Sequence, residues 1–419
     1  MKKLIIWCVA LCSFGTAYAQ GAVSKSTDNR MAMVTSSART NNRLDEDRSD
    51  ADKVKTISRT FPADQNDKIN LSNQFGSMTI KVWDKREVKI DVAIRASSGN
   101  DNEAQKLIDA VNISVGKNGD MISCKTNIDE ERNHWWGRDK KREVKVDYVV
   151  YLPATNALML SQEYGSVNIG DFAGPLLAKV EYGDFNATSL SNANNSISVE
   201  YGKTNIGSLN KATIKQEYGA GLIIGTAGEL NLRAEYASVT INTIKGDAII
   251  RQEYGSGLKI GVVNNLNLDV QYANVNIAAI KGNATINQEY NSLSIGSVGR
   301  LILKSEYAGV TIGNLRGDAN FKMSYNNLNV TTIGVGCRKI ILDAEYVNVV
   351  LAFADGYNAD FTLQKEYGGF KYGANVKAYL TGKNNDDDDS SSKNYSGKIG
   401  SGGGANIRMR TEYGSVTFR

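Results

Sequence analysis

From about residue 158 onward one short unit recurs: a Glu-Tyr-small triplet followed by an apolar-x-apolar run. Self-similarity at a fixed short period constrains a fold more than any other sequence feature. The unit reads EYGSVNI at 163, EYGDFNA at 181, EYGKTNI at 200, EYGAGLII at 217 and EYASVTI at 235. It continues as EYGSGLKI at 253, QYANVNI at 271, EYNSLSI at 289, EYAGVTI at 306, SYNNLNV at 324, EYVNVVL at 345 and EYGGFKY at 366, and EYGSVTF follows at 412. From Tyr164 to Tyr307 the tyrosines are 17 to 19 residues apart. NQFGSMTI at 73 reads as a first, isolated copy.

Each unit offers two short strands. Around Tyr236, residues Leu230, Leu232 and Ala234 share one face, and Val239 and Ile241 share another after a corner. Two strands cannot bury such a face alone. Stacked copies pair each strand with its equivalent ~4.8 Å away and build one core. Forty glycines against three prolines suit this, since glycine turns corners and scarce proline leaves N–H groups free for ladders. Hexapeptide spacing does not fit the apolar positions. The expected fold is mainly β: a parallel β-helix or solenoid with a small α+β N-terminal region containing one helix.

A longer period is superimposed. Ile244-Lys245-Gly246-Asp247 returns as Ile280-Lys281-Gly282-Asn283 and Leu315-Arg316-Gly317-Asp318, and Gln216, Gln252 and Gln288 return every 36 residues. Tyr254 is four residues from its next core aliphatic, Leu258, whereas Tyr236 is three from Val239. A 36-residue turn with Gln stacked on Gln would produce this, and so would duplication of a paired 18-residue unit. Sequence leaves both open.

The remaining segments follow from composition. Residues 1–19 carry Lys2, Lys3 and an apolar run, with Ala17-Tyr18-Ala19 placing signal-peptide cleavage between Ala19 and Gln20. The run is shorter than the ~20 residues a spanning helix needs, so the chain is expected to be exported to the periplasm or cell surface with no transmembrane segment. Residues 20–54 read as a disordered leader. In the N-terminal region, 55–157, Val88, Ile90, Val92 and Ile94 alternate as a strand. Ala104, Leu107, Ile108 and Val111 mark a helix near 101–112, with Asn100 and Glu103 spaced as a capping box. Strands are expected near 120–128 and 143–151. Repeats fill 158–382, a polar low-complexity insert (NNDDDDSSS, GSGGG) fills 383–404, and a last solenoid strand at 405–419 re-enters the array and would cap it.

The formal charge is +4, of which Lys2 and Lys3 supply two, so about +2 remains after cleavage. That balance argues against nucleic acid as a partner. Cys124 and Cys337 fall in different segments and read as buried thiols.

The FPADQNDKINLSNQFGSMTIKVWDKREVKIDVAI run, the helix, VKVDYVVYLPATNALMLSQEYGSVNI and the late SGKIGSGGGANIRMRTEYGSVTF together resemble the bacterial putative-adhesin families of exported β-strand-repeat proteins. The resemblance spans about residues 56–419. It implies a right-handed β-solenoid with a smaller mixed N-terminal part, and it transfers no functional residues.

Catalysis needs one unlike constellation, and regular repetition supplies none. No cofactor or metal is expected, and one His with two distant Cys makes no zinc site. Residue parity puts Tyr236 on the face of Leu232 and Ala234, as corner filler; the competing reading is an exposed tyrosine ladder flanked by carboxylates. Arg316-Gly317-Asp318 spells an attachment tripeptide but sits in the slot of Lys245-Gly246-Asp247, as a turn. Asp386 to Asp389 lack the alternating spacing of a calcium loop. The candidate ligand-binding residues are Trp135, Trp136, Arg138, Lys140, Lys141 and Arg142, beside the single His134: aromatics next to cations suit a sugar or an anionic surface. The competing reading of this loop is a hairpin folded back on the domain. The expected function is a non-catalytic cell-envelope protein that binds a protein or glycan, the alternatives being a carbohydrate-binding module or a polysaccharide-degrading β-helix enzyme.

Overall fold

A strand with an inward residue at every second position buries its core on one side only, and stacking continues that pattern from rung to rung. The computed structural model describes residues 51–128, 142–381 and 392–419, of which strand is the dominant element and Asp101–Asp109 the one helix. Strands Gly221–Glu235, Val239–Glu253, Leu258–Gln271 and Val275–Glu289 pair in parallel, each with the next, in a β-solenoid. Val239 pairs with both Leu222 and Leu258, so one turn holds about 18 residues. The 36-residue turn is excluded, and the tyrosine corner recurs on every turn.

Each long strand bends once. The bend takes two residues between Ala227 and Leu230, three between Ile244 and Ala248, and two again between Val263 and Leu266, with a register shift at each step. The first inward residue after the bend alternates in step: Leu230, Ala248, Leu266, Ala284, Leu301 and Ala319 stack in one buried column. A large side chain over a small one interlocks the layers at interior density. Here is part of the 36-residue period.

The N-terminal region joins the same stack. Met121–Ile128, Lys68–Gln74 and Ala157–Glu163 pair in parallel in that order, as do Glu143–Pro153, Met78–Trp83 and Val167–Phe172. The NQFGSMTI copy is therefore an internal rung, and the described residues form one compact unit. Ala51–Pro62 lies antiparallel on Glu87–Ser98, so strand structure begins inside the stretch read as leader. Asn100 caps the helix by accepting the Glu103 N–H at 2.9 Å. The helix stops at Asp109, short of the expected 112, because Val111 opens a strand, Val111–Asn118, that hairpins with Met121–Ile128. Its buried side chain had fitted a helical period as well as a strand.

At the other end the rung order departs from chain order. Ala405–Glu412 and Val416–Phe418 do not cap the array. They lie between Lys339–Phe353 on one side and Ala359–Glu366 with Phe370–Tyr372 on the other. The edge is closed instead by Ser392–Ile399, antiparallel on Ala359–Glu366, with Val376–Leu380 beside it. Part of the segment read as polar insert is thus strand, anchored by buried Ile399. Antiparallel strands thus cover the Met121–Ile128 and Glu143–Pro153 edges at one end and the Ala359–Glu366 edge at the other, where they would otherwise template further pairing.

Candidate functional site

The tyrosine of each unit turns the corner in a left-handed conformation, with φ between 44° and 61° from Tyr164 through Tyr413 and 58° at Phe75. That backbone rotates the side chain out of strand alternation, which overturns the parity expectation. Ala234 is buried, whereas Tyr236 is 49% exposed, and the ladder tyrosines are all 36–49% exposed. Phe75, Tyr164, Tyr182, Tyr201, Tyr218 and Tyr236 begin a column that continues on every rung and ends Tyr346, Tyr413, Tyr367. Ring centroids are 4.5–5.4 Å apart and interplanar angles 2–17° throughout. From Tyr164 to Tyr307 the Tyr N–H groups donate to the carbonyl of the residue before the next tyrosine, as Tyr236 to Glu253 at 3.1 Å.

Where glycine follows the tyrosine, as at Gly165, Gly183 and Gly202, close approach requires it. A Cβ on Gly183 would lie 1.9 Å from the Gly165 carbonyl oxygen, a clash with backbone that cannot move aside.

A left-handed non-glycine residue costs roughly 1–2 kcal/mol. Two stacked neighbours at about 0.5–1.5 kcal/mol each offset it. Tyr236→Gly is therefore expected to unfold later than Tyr236→Ala, by about 1 kcal/mol, because both lose the stack and only glycine sheds the strain. Denaturant midpoints of the two variants check this, and an Ala variant at least as stable as the Gly variant contradicts it.

Beside the ring column runs a carboxylate column, Glu163, Glu181, Glu200, Glu217, Glu235 and Glu253, paired rung to rung. Stacked carboxylates repel unless paired. Cations two residues earlier on the same strands supply partners: Lys179–Glu181, Lys215–Glu217 at 2.8 Å, Arg233–Glu235 and Lys304–Glu306 at 3.1 Å. Exposed pairs of this kind contribute little stability each; they set the charge pattern of the face. Burial by its stacked neighbours, then the phenols of Tyr201 and Tyr164 and the Glu200 and Glu181 carboxylates, hold the Tyr182 phenol above its ordinary range. Tyr218 and Tyr413 are raised likewise, burial first.

Of the six loop candidates, Trp135, Trp136, Arg138, Lys140 and Lys141 lie outside the described residues, as does His134. Arg142 is described: its Nη2 pairs with Glu103 Oε1 at 3.2 Å. It lines a groove of about 570 Å³ with Phe75, Tyr164, Leu107, Lys145 and Asp147, at the head of the ring column. Sequence reasoning set the ladder below the loop, and the signal that could have raised it is the aromatic at one fixed corner in every unit. The Asp386–Asp389 run and the Ala19–Gln20 cleavage point also lie outside the described residues.

Arg316-Gly317-Asp318 is tied into the stack. Arg316 Nη2 donates to the Ile280 and Lys281 carbonyls at 2.8 and 3.0 Å, two rungs away, and Asp318 accepts the Arg338 and Lys339 N–H groups at 3.0 Å each. Cys124 and Cys337 are free and buried, and burial pushes the Cys337 thiol up to about 11. Among the described residues no group of three or more His, Cys, Asp or Glu is placed to hold a metal ion, and no helix is long and apolar enough to cross a membrane.

No family model matches the chain, and no curated protein does. Among solved structures it is similar to a putative cell adhesion protein from Clostridium sporogenes, at 9% identity over 88% of this chain and 99% of that one, TM-score 0.16. A putative adhesin from Bacteroides fragilis matches at 9% identity over 87% of this chain and 97% of that one, TM-score 0.21. A putative lipid binding protein from Parabacteroides distasonis matches at 10% identity over 87% and 96%, TM-score 0.19. Overlap this low says nothing of function.

Proposed function

We propose that the chain is an exported, non-catalytic interaction protein of the cell envelope, a rod that presents one long face to a protein or glycan partner. The carrying observation is the unbroken strip of half-exposed tyrosine edges flanked by carboxylates and cations. A strip of equivalent groups offers many similar weak contacts along an extended partner. It assembles no single reacting centre.

The strip also bears on the carbohydrate-binding reading. Sugars stack on free aromatic faces, and here each interior ring has both faces covered by its neighbours. A glycan would meet only ring edges, hydroxyls and carboxylates. A protein partner fits this polar, edge-on surface better. The loop with Trp135 and Trp136 is proposed as a second contact.

Protease added to intact cells, followed by detection of the chain, tests the location. Cleavage in intact cells supports a surface role. A chain cut only after the envelope is opened removes the adhesion reading. Glycan-array binding of the wild type and of the Trp135→Ala/Trp136→Ala chain then separates partner classes, a glycan signal lost in the variant overturning the preference for protein.

A further inference from the structure

Fourteen aromatic rings in continuous face-to-face contact form a path as well as a surface. The column contains Phe75 at its head and a tyrosine on each rung after it, with no interruption to Tyr367. Phenol is among the most readily oxidised side chains, and orbital overlap between neighbouring rings decides whether the resulting radical stays where it forms. Centroids near 5 Å with nearly parallel planes give that overlap at every step. The tyrosine rings are 36–49% exposed, so a diffusing oxidant reaches any of them and a released proton reaches water.

We propose that the tyrosine column conducts oxidising equivalents: a radical formed at any rung by a one-electron oxidant migrates along the solenoid axis to whichever rung is easiest to oxidise. The entry step is TyrOH giving TyrO•, a proton and an electron, the electron reducing the oxidant and the proton passing to solvent. Each transfer step is TyrO• plus a neighbouring TyrOH giving TyrOH plus TyrO•, one electron and one proton exchanged between like groups, so it has almost no driving force in either direction. At Tyr182 and Tyr218 burial first, then the neighbouring phenols and carboxylates, favour the protonated phenol. The column carries a radical only after oxidation. Phe75 ends the path at the head, because phenylalanine is far harder to oxidise.

Phe75 also shows how to cut the path without disturbing it. It holds the same left-handed corner, with φ 58°, and stacks on Tyr164 at 4.9 Å and 4°. Tyr→Phe changes in the column should keep the stack while removing the redox step. Two adjacent changes leave three rung spacings, about 14 Å, between the remaining phenols.

The test places a more easily oxidised trap, 3-aminotyrosine, at Tyr367, the last ring of the column, and generates a low dose of a diffusing photochemical oxidant. Trap radical yield is read by electron paramagnetic resonance. Two variants carry the same number of substitutions. Tyr346→Phe with Tyr413→Phe isolates the trap from every other phenol in the column; Tyr201→Phe with Tyr218→Phe cuts off only Tyr164 and Tyr182. The first is expected to lose most of the trap signal, down to direct hits, and the second to keep most of it. Equal yields in the two variants overturn the proposal, as does a yield in the first equal to that of the uncut column. Circular dichroism and the unfolding midpoint of both variants confirm that the stack is intact.

Discussion

A chain lacking Ala405–Arg419 should lose its C-terminal structure from about Ala359 onward while the rungs before Tyr307 remain folded. These residues form a rung inside the stack, so their removal empties a slot between two strands. Ile407, Met409, Val416 and Phe418 are buried, and Phe418 packs edge-on against Phe353, Phe361 and Phe370 at 5.2–5.3 Å. Burying each such side chain contributes about 1.5–3 kcal/mol, so roughly 6–12 kcal/mol of local stabilisation goes with them. Lys339–Phe353 and Ala359–Glu366 would both face the gap with unpaired backbone. Such edges recruit other chains. Because a solenoid is stabilised rung by rung through nearest neighbours, the damage should stay local. Amide hydrogen exchange measures it: protection lost over 359–381 and 392–399, retained over 203–306, and restored by adding the 405–419 peptide. Retained protection over 359–381 and 392–399 would mean that the two flanking rungs can close on each other, and that the inserted rung is dispensable.

The stacking itself was legible because it depends on local pattern. A strand with inward residues at alternate positions buries Leu230, Leu232, Val239 and Ile241 whatever lies above it. Three things were not. The outward turn of the tyrosines depends on a left-handed corner that alternation rules do not contain. The order of the last rungs depends on which of several near-identical strands pairs with which. EYGSVTF and EYGGFKY fit either slot by pattern, and only the link through Val376–Leu380 and Ser392–Ile399 settles it. The third is Val111, whose spacing satisfied a helix and a strand equally until the hairpin with Ile128 claimed it. Of the candidate site, the loop was read from its composition and the ladder was set below it, since half-exposure is a property of the stack.

Gln216→Leu should be among the most costly single substitutions in the solenoid, and the reason accounts for the rest of the 36-residue period. The inward column containing Gln216 reads Val199, Gln216, Ala234, Gln252, Val270, Gln288 and Ser305 on successive rungs. Glutamine stacks on small apolar residues. Its amide reaches back one rung: Gln216 Nε2 donates to the Gly202 carbonyl at 2.8 Å, Gln252 to Ala237 at 3.0 Å and Gln288 to Ala273 at 3.0 Å. Gln252 and Gln288 also reach the corner of their own rung, at Gly257 and Tyr290. A side chain that serves a neighbouring corner is needed on alternate rungs only, and its length leaves room there for Ala or Val. Leucine at 216 would leave the buried Gly202 carbonyl unpaired, together with the Thr204 hydroxyl that donates to Gln216 Oε1. Each orphaned group costs about 1–3 kcal/mol, so a loss of roughly 2–6 kcal/mol is expected. Adding Thr204→Val should recover about half, because that hydroxyl is then gone while the carbonyl stays unpaired. The same geometry predicts a gain elsewhere. Gln252 Oε1 is buried without a partner, and Val239 stands where Thr204 stands one repeat pair earlier, so Val239→Thr would supply the missing donor. Chemical denaturation of the four chains decides it. If Gln216→Leu costs no more than a surface change, or Thr204→Val recovers nothing in its presence, the corner hydrogen bonds do not set the longer period and the bend alternation alone must.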